Sequence, residues 1–412
     1  MTAPSSDLAL DTALNTARLP LHARGVLKLL QGFTHGTLEL ALPDGQRALF
    51  GRGAPHAQMT LANWKVIGAA VKSGDIGFAE SFVAGDWAST DPARVLQVFI
   101  RNRAAAERVV YGSLWGTLLH RATHLLNRNT KRQAKKNIHA HYDLGNDFYA
   151  LWLDPTMTYS AALFPQAQVD PHAPATGEEL VAAQHAKYAR VLTELHLAPG
   201  SRVLEIGCGW GGMAEAAARA GHSLTGLTLS REQLAWARER LARQGLAADL
   251  RLQDYRDEHG VYDGVASIEM FEAVGEQYWD EYFALLARVL TPGGRACIQT
   301  IEIADALFDR YRRGTDFIQQ YIFPGGVLPC PSEFARRAER AGLRIERRHG
   351  FGLHYAKTLA TWRAGFARES AAVRALGFDE RFMRLWTFYL AYCEAAFAEE
   401  NTDVAQYTLV RP

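Results

Sequence analysis

Val203-Leu-Glu-Ile-Gly-Cys-Gly-Trp-Gly-Gly212 decides the fold: an apolar run of strand length ends in Glu205 and passes straight into a turn containing Gly207, Gly209, Gly211 and Gly212. Glycine has no Cβ, so such a turn takes up positive φ and lets a ligand approach bare backbone amides. A strand, a glycine turn and a helix in that order make the nucleotide-binding corner of an open α/β sheet. The stretch therefore predicts an adenosine-like ligand at the carboxyl end of a strand.

Upstream, Leu180, Ala183, Tyr188, Val191 and Leu195 recur at helical spacing and lead through Pro199-Gly200 into that strand. Downstream the pattern alternates: helix 212–220, strand 224–229, helix 231–244, strand 250–252, strand 262–268 and helix 278–290. The turn Thr291-Pro-Gly-Gly294 then precedes a fifth strand over 296–301, and 404–410 reads as a last strand. Strands joined by helices predict α/β architecture with a Rossmann-like, doubly wound parallel sheet. The apolar face of the late helix, with Phe382, Trp386, Tyr389 and Phe397, reads as packing.

A chain of 412 residues exceeds the usual single domain, and 48 % hydrophobic with 22 % charged residues is ordinary globular composition. Residues 1–105 mix strand-like runs such as Gly36-Thr-Leu-Glu-Leu-Ala-Leu42 with helical stretches, which predicts a small N-terminal α+β domain with Trp64, Phe78, Phe82 and Trp87 in its core. From Arg101 to Lys136 nine Lys or Arg stand against Glu107 alone, and Val110, Leu114, Leu118 and Leu125 recur at helical spacing. Residues 106–136 thus read either as a basic amphipathic helix on anionic lipid or as a linker with a solvated basic face. Residues 137–412 form the second domain. Cys208, Cys297, Cys330 and Cys393 lack metal-ligand spacing, so no metal is expected and a reducing cytoplasm fits. Neither a signal peptide nor an apolar run of about 18 residues is seen.

A dinucleotide fold would place an acidic residue at the end of the second strand, where Thr228-Leu-Ser230 stands, and a P-loop would carry Gly-Lys-Ser/Thr. Neither pattern is met. Glu205 before the glycines and Pro-Gly-Gly before the fifth strand resemble the class I methyltransferase fold. Six further stretches sharpen the likeness: His139-Ala-His-Tyr-Asp-Leu-Gly-Asn-Asp-Phe-Tyr149, Trp152-Leu-Asp-Pro-Thr-Met-Thr-Tyr-Ser160, Gly226-Leu-Thr-Leu-Ser-Arg-Glu-Gln233, Leu252-Gln-Asp-Tyr-Arg-Asp257, Met270-Phe-Glu272 and Tyr321-Ile-Phe-Pro-Gly-Gly326. Together, over roughly residues 60–412, they resemble the cyclopropane-fatty-acyl-phospholipid synthase family.

The resemblance implies S-adenosylmethionine as cofactor, with methyl transfer to the cis double bond of an unsaturated acyl chain in a phospholipid. It implies that Tyr159, Ser160, Glu205, Gly207, Gly209, Thr228, Leu229, Gln233, Asp254 and Tyr255 bind that cofactor, Asp254 at the adenine amino group and Tyr255 as an adenine wall. Ser230 with Gln233 also fits a capping box. An alkene is a weak nucleophile, so water must be kept out while a carbocation forms. Proton loss from the transferred methyl closes a cyclopropane, whereas loss from a neighbouring chain carbon leaves a methylated alkene.

Ring-forming members hold a bicarbonate base with Cys, Glu, His, an Ile backbone group and Tyr. Glu272, Ile301 and Tyr355 match that set, but Ala161 stands for the Cys and Gln299 for the His. Glu269 replaces the usual Gly, and Ala273 the His after the catalytic Glu. Losing a thiol and an imidazole while gaining a carboxylate weakens an anion site and the case for bicarbonate. Catalytic candidates are accordingly Glu272, Tyr355, Glu269 and Gln299, with Glu269 replacing bicarbonate as proton acceptor or, alternatively, only hydrogen-bonding the cofactor or a nearby amide. The insertion 302–330, rich in aromatics, reads as core or as a lid over an acyl channel.

Expected partners are a phospholipid membrane surface with unsaturated acyl chains and a second copy in a homodimer, with the protein cytoplasmic and peripheral to the inner membrane face. A small-molecule methyltransferase acting on amines shares the same cofactor site and is the alternative, and a non-catalytic lipid-binding protein a third reading. Nucleic acid is not an expected partner: the Asn/Asp-Pro-Pro-Tyr/Phe signature of base-flipping methylation is missing.

Overall fold

The computed structural model describes residues 19–105 and 144–412, so the basic stretch 106–136 lies outside the described residues. The described chain divides into two compact units, one of residues 19–105 with Asp379–Ala395, the other of residues 144–378 with Ala396–Pro412.

In the first unit β1 (Gly36–Ala41), β2 (Arg47–Arg52), β3 (His56–Leu61) and β4 (Trp87–Ala88) form one sheet in the order β2-β1-β3-β4. β1 and β3 run parallel, the other pairs antiparallel. Alternation buries Ala48 and Phe50 of β2 and Ala57, Met59 and Leu61 of β3 on one face. The helix Lys65–Val83 kinks at Ser73 and Gly74, and Pro at the first position opens the helix Pro92–Arg101. Phe82 and Trp87 are core as expected; Phe78 stacks on Trp87 at 4.5 Å while half-buried, and Trp64 is half-buried.

The late helix Glu380–Ala398 departs from its expected place in the second domain, for most of it packs in this unit. Phe388 meets Phe82 at 5.5 Å, Arg384 donates to the Phe82 carbonyl, and Tyr392 donates to Asp75 at 3.0 Å. Its apolar face was legible; a partner some 300 positions earlier in the chain was not.

The second unit is built on β5 (Arg202–Ile206), β6 (Ser223–Thr228), β7 (Asp249–Leu252), β8 (Tyr262–Ile268), β9 (Leu290–Ile303), β10 (Arg344–Gly350) and β11 (Thr402–Val410), ordered β10-β11-β9-β8-β5-β6-β7. All pairs are parallel except those of β11. Side chains alternate across the strands into two apolar layers. Val203, Leu224 and Ala266 pack with Met213, Leu234 and Val191 of flanking helices, while Leu204, Leu227 and Val265 pack with Tyr282, Leu286 and Phe334.

Two features differ from the sequence reading. Pro292-Gly-Gly294 lies inside β9 rather than before it, as a bulge with Gly293 at φ +76° where the register with β8 shifts, and Gly293 donates to Arg411 and Arg411 to Gly294 beside the β11 ladder. β10 was not predicted: Arg344-Ile-Glu-Arg-Arg-His-Gly350 has no apolar alternation, since it is a charged edge strand with one covered side. In the insertion, Phe308, Phe317 and Ile322 are buried and Phe308 joins the core beside Trp279.

Candidate active site

A cavity opens at the carboxyl ends of β5, β6, β7 and β8. All ten residues expected at the cofactor line it: Tyr159, Ser160, Glu205, Gly207, Gly209, Thr228, Leu229, Gln233, Asp254 and Tyr255. The strand order explains this, since loops leaving adjacent parallel strands converge on one edge. Gly207 adopts φ +87°, and a Cβ there would lie 2.9 Å from Cγ of Met270. Gly207 and Cys208 both donate to the Leu227 carbonyl, which folds the glycine turn onto β6.

These residues fit S-adenosylmethionine. Oε2 of Glu205 is buried without a hydrogen-bond partner, and burial pushes its carboxyl up to about 8 against the pull of Arg240 and Lys187. A buried carboxyl with an unpartnered oxygen is suited to a charged donor, which the amino-acid end of the cofactor carries. Ser230 caps the helix Arg231–Arg243 by accepting from the Gln233 amide at 3.2 Å. The Gln233 side chain does not close the reciprocal box; it accepts from Thr228 Oγ1 at 3.3 Å and faces the cavity. Asp254 is engaged more than expected, accepting from the Arg256 amide, from its Nε at 2.9 Å and from its Nη2 at 2.7 Å. The Tyr255 ring meets Tyr282 edge-on at 5.7 Å.

A second cluster stands at the end of β8. Glu269 has φ +51°, a left-handed conformation costing a residue with a side chain on the order of 1 kcal/mol or more. Its Oε1 accepts from the Ala161 amide at 2.8 Å and from Nε2 of Gln299 at 2.7 Å, and its Oε2 from Tyr355 at 2.7 Å. Three of the four catalytic candidates, with the altered position Ala161, therefore meet in one hydrogen-bond network. Burial raises the Glu269 carboxyl above its ordinary range, opposed by Lys187 and then by these donors.

Glu272 lies one short turn on, its Oε1 accepting from Thr300 at 3.0 Å and from the Ile301 amide. Its Oε2 is buried without a hydrogen-bond partner, and burial reinforced by Glu269 raises it to about 8. Val327 of the insertion donates to its carbonyl at 3.0 Å.

Several residues that sequence reasoning missed complete the site. Gln406 of β11 donates to Oε1 of Gln299 at 3.0 Å, which turns the Gln299 amide so that its nitrogen faces Glu269. The helix Gly352–Arg368 supplies Tyr355 and pins the segment that follows Ser160: Thr358 accepts from the Ala162 amide and His354 Nδ1 from the Phe164 amide. Burial lowers His354 to about 4, which keeps it neutral and able to accept. Tyr159 lies among Tyr149, Trp152 and Trp362, with ring centroids 5.2 to 5.7 Å away. Lys187 and Gln184 hold Ser160 from behind. Their signal was helical periodicity, which marks burial and is silent about polar function. Among the described residues no cluster of His, Cys, Asp and Glu has the makings of a metal site.

Comparison with known proteins gives consistent results. The family model described as mycolic acid cyclopropane synthetase matches residues 129–407. The chain is 41 % identical over 354 residues to the tuberculostearic acid methyltransferase UfaA1 of Mycobacterium tuberculosis, covering 82 % of this chain and 80 % of that one. It is 34 % identical over 364 residues to the cyclopropane-fatty-acyl-phospholipid synthase of Escherichia coli, covering 87 % and 89 %. Among solved structures, the mycolic acid cyclopropane synthase CmaA1 complexed with SAH and CTAB superposes with a TM-score of 0.61 at 31 % identity, over 67 % of this chain and 98 % of that one.

Proposed function

The chain belongs to the mycolic acid cyclopropane synthetase family and is an S-adenosylmethionine-dependent methyltransferase of lipids or fatty acids, and from that premise we propose that it methylates the cis double bond of unsaturated acyl chains in membrane phospholipid, giving a methylated alkene rather than a cyclopropane. The observation that carries the product is Glu269, a carboxylate of the chain itself at the cavity wall, gripped by Ala161, Gln299 and Tyr355. By the resemblance drawn from the sequence, those three positions stand where ring-forming members would hold bicarbonate.

S-adenosylmethionine, when bound, supplies the electrophilic methyl group. Glu205, Gln233, Asp254 and Tyr255 would hold it, with Gly207 and Gly209 leaving room for close approach. The aromatic group around Tyr159 excludes water and offers ring faces to a cationic chain carbon. Glu269 then takes a proton from the chain carbon beside that centre, and the electron pair of the broken C–H bond becomes the new double bond. Oε2 suits this step: it takes one donor against two on Oε1, so it keeps a lone pair for the proton. Burial makes Glu269 a stronger base than an ordinary carboxylate. The contact to an amide expected of a purely structural Glu269 is present at Ala161, while the single donor on Oε2, from Tyr355, supports the base reading. A relative named for methyl transfer supports the same product.

The basic residues 106–136 supply an attraction to anionic membrane in this reading, with the enzyme resting on the inner face. No helix among the described residues is long and apolar enough to cross a membrane. Proton NMR of lipids from a host without its own cyclopropane synthase, expressing this chain, tests the product. Olefinic and branched-methyl signals are expected; upfield cyclopropane methylene signals would overturn the reading.

A further inference from the structure

The helix Gly177–Leu195 buries Lys187 completely. Its Nζ donates to Ser160 Oγ at 2.5 Å and to Gln184 Oε1 at 2.7 Å, and lies 4.6 Å from the centroid of the Tyr188 ring. It forms no direct ion pair among the described residues, yet Glu269, Asp154 and Glu205 all act on it through the field. Withdrawing an ammonium from water costs several kcal/mol, and a helix needing only packing at this position would be better served by Leu or Met. The cation therefore has a use.

Its neighbours show which. Gln184 Nε2 donates to the Ser160 carbonyl at 3.0 Å while Lys187 donates to the hydroxyl, so Ser160 is held by main chain and side chain together. The next residue, Ala161, sends its N–H to Glu269 Oε1. We propose that Lys187 is a positioning residue of this site: its buried ammonium fixes Ser160, and thereby the Ala161 donor, and its charge keeps Glu269 in the ionised form that a base requires. The catalytic consequence rests on Glu269 being the base; the charge coupling does not.

The ionisable groups facing Glu269 are Tyr355, Lys187 and Glu272, and those facing Lys187 are Glu269, Asp154, Glu205 and Tyr188. Lys187 is the one cation named in either set. Burial lowers it to about 7, with the carboxyls acting the other way, so near neutrality its charge responds to them. A neighbouring cation favours a carboxylate, so removing it lets the protonated form persist to higher pH.

Carbon-13 NMR of protein labelled at glutamate carboxyls reads this without turnover, with Glu269→Gln identifying the Glu269 signal by its loss. In Lys187→Met the Glu269 midpoint is expected to rise by about one pH unit. The ionised fraction below the midpoint, and the rate with it, then falls about tenfold. A folded Lys187→Met protein with an unmoved midpoint would overturn the proposal and leave Lys187 a packing residue. Should that variant not fold, Gln184→Met strips one acceptor from the ammonium and favours its neutral form. A smaller rise is then expected, and none would overturn the proposal equally. Turnover by Glu269→Gln would defeat the base reading on its own, while the titration still reports on Lys187.

Discussion

The ends of β5 and β8 lie side by side in the sheet and are finished in opposite ways. After β5 the left-handed positions are glycines, and Glu205 keeps a buried oxygen without a partner. After β8 the left-handed position is Glu269, whose two oxygens take three donors from three other parts of the chain. At the first strand end the glutamate keeps an unpartnered oxygen; at the second Glu269 is held on both oxygens, and Glu272, three residues on, is the group that keeps one unpartnered. Backbone strain is avoided by glycine where a cofactor must come close and is borne by a glutamate where a charged side chain must stand.

The sharpest break in this contrast is Glu269→Gln, which keeps the shape and removes the proton acceptor. Its kcat is expected to fall about 10²- to 10⁴-fold, with S-adenosylmethionine affinity by calorimetry kept. With Glu269 as the proposed base, the unaltered enzyme is expected to show an acid limb in its rate. Because burial raises Glu269, that limb lies above the ordinary carboxylate range, and activity is lost as pH falls through it.

Glu205→Gln should act at the other strand end, weakening cofactor binding about 10- to 100-fold through the lost charge-assisted hydrogen bond, as calorimetry would measure. A smaller effect is expected of Gly207→Ala, about 1 to 2 kcal/mol in chemical denaturation, since its φ of +87° strains any side chain and the new Cβ presses on Met270. The smallest concerns the Glu269 carboxylate itself. Assays in carbonate-free buffer should run at the same rate, and stimulation by added bicarbonate would mean that Glu269 has not taken its place.

How much of this was legible depended on whether the signal was local. The glycine turn with its flanking strand and helix was readable because it is a short motif whose spacing sets its own geometry, and the ten positions that line the cavity were reached through the resemblance of such motifs to a known family. The late helix Glu380–Ala398 showed its apolar face but not its partner in the first unit. β10 was invisible because a charged edge strand lacks alternation. The substitutions at Ala161, Glu269 and Gln299 could be seen one by one. Their convergence on a single carboxylate could not, as they stand 108 and 30 positions apart in the chain.

The sequence alone determined the fold class and a nucleotide-type ligand, since periodicity and glycine spacing are properties of neighbouring positions; the methyl donor and the altered residues followed from its resemblance to a known family. Tertiary structure alone decided that Gln406 turns the Gln299 amide, that Lys187 lies buried behind Ser160, and that Glu269 takes two donors on one oxygen and one on the other. Those facts are directions and distances between side chains on different strands and helices. They exist only once burial has stripped away water and forced each polar group to find a partner across the fold.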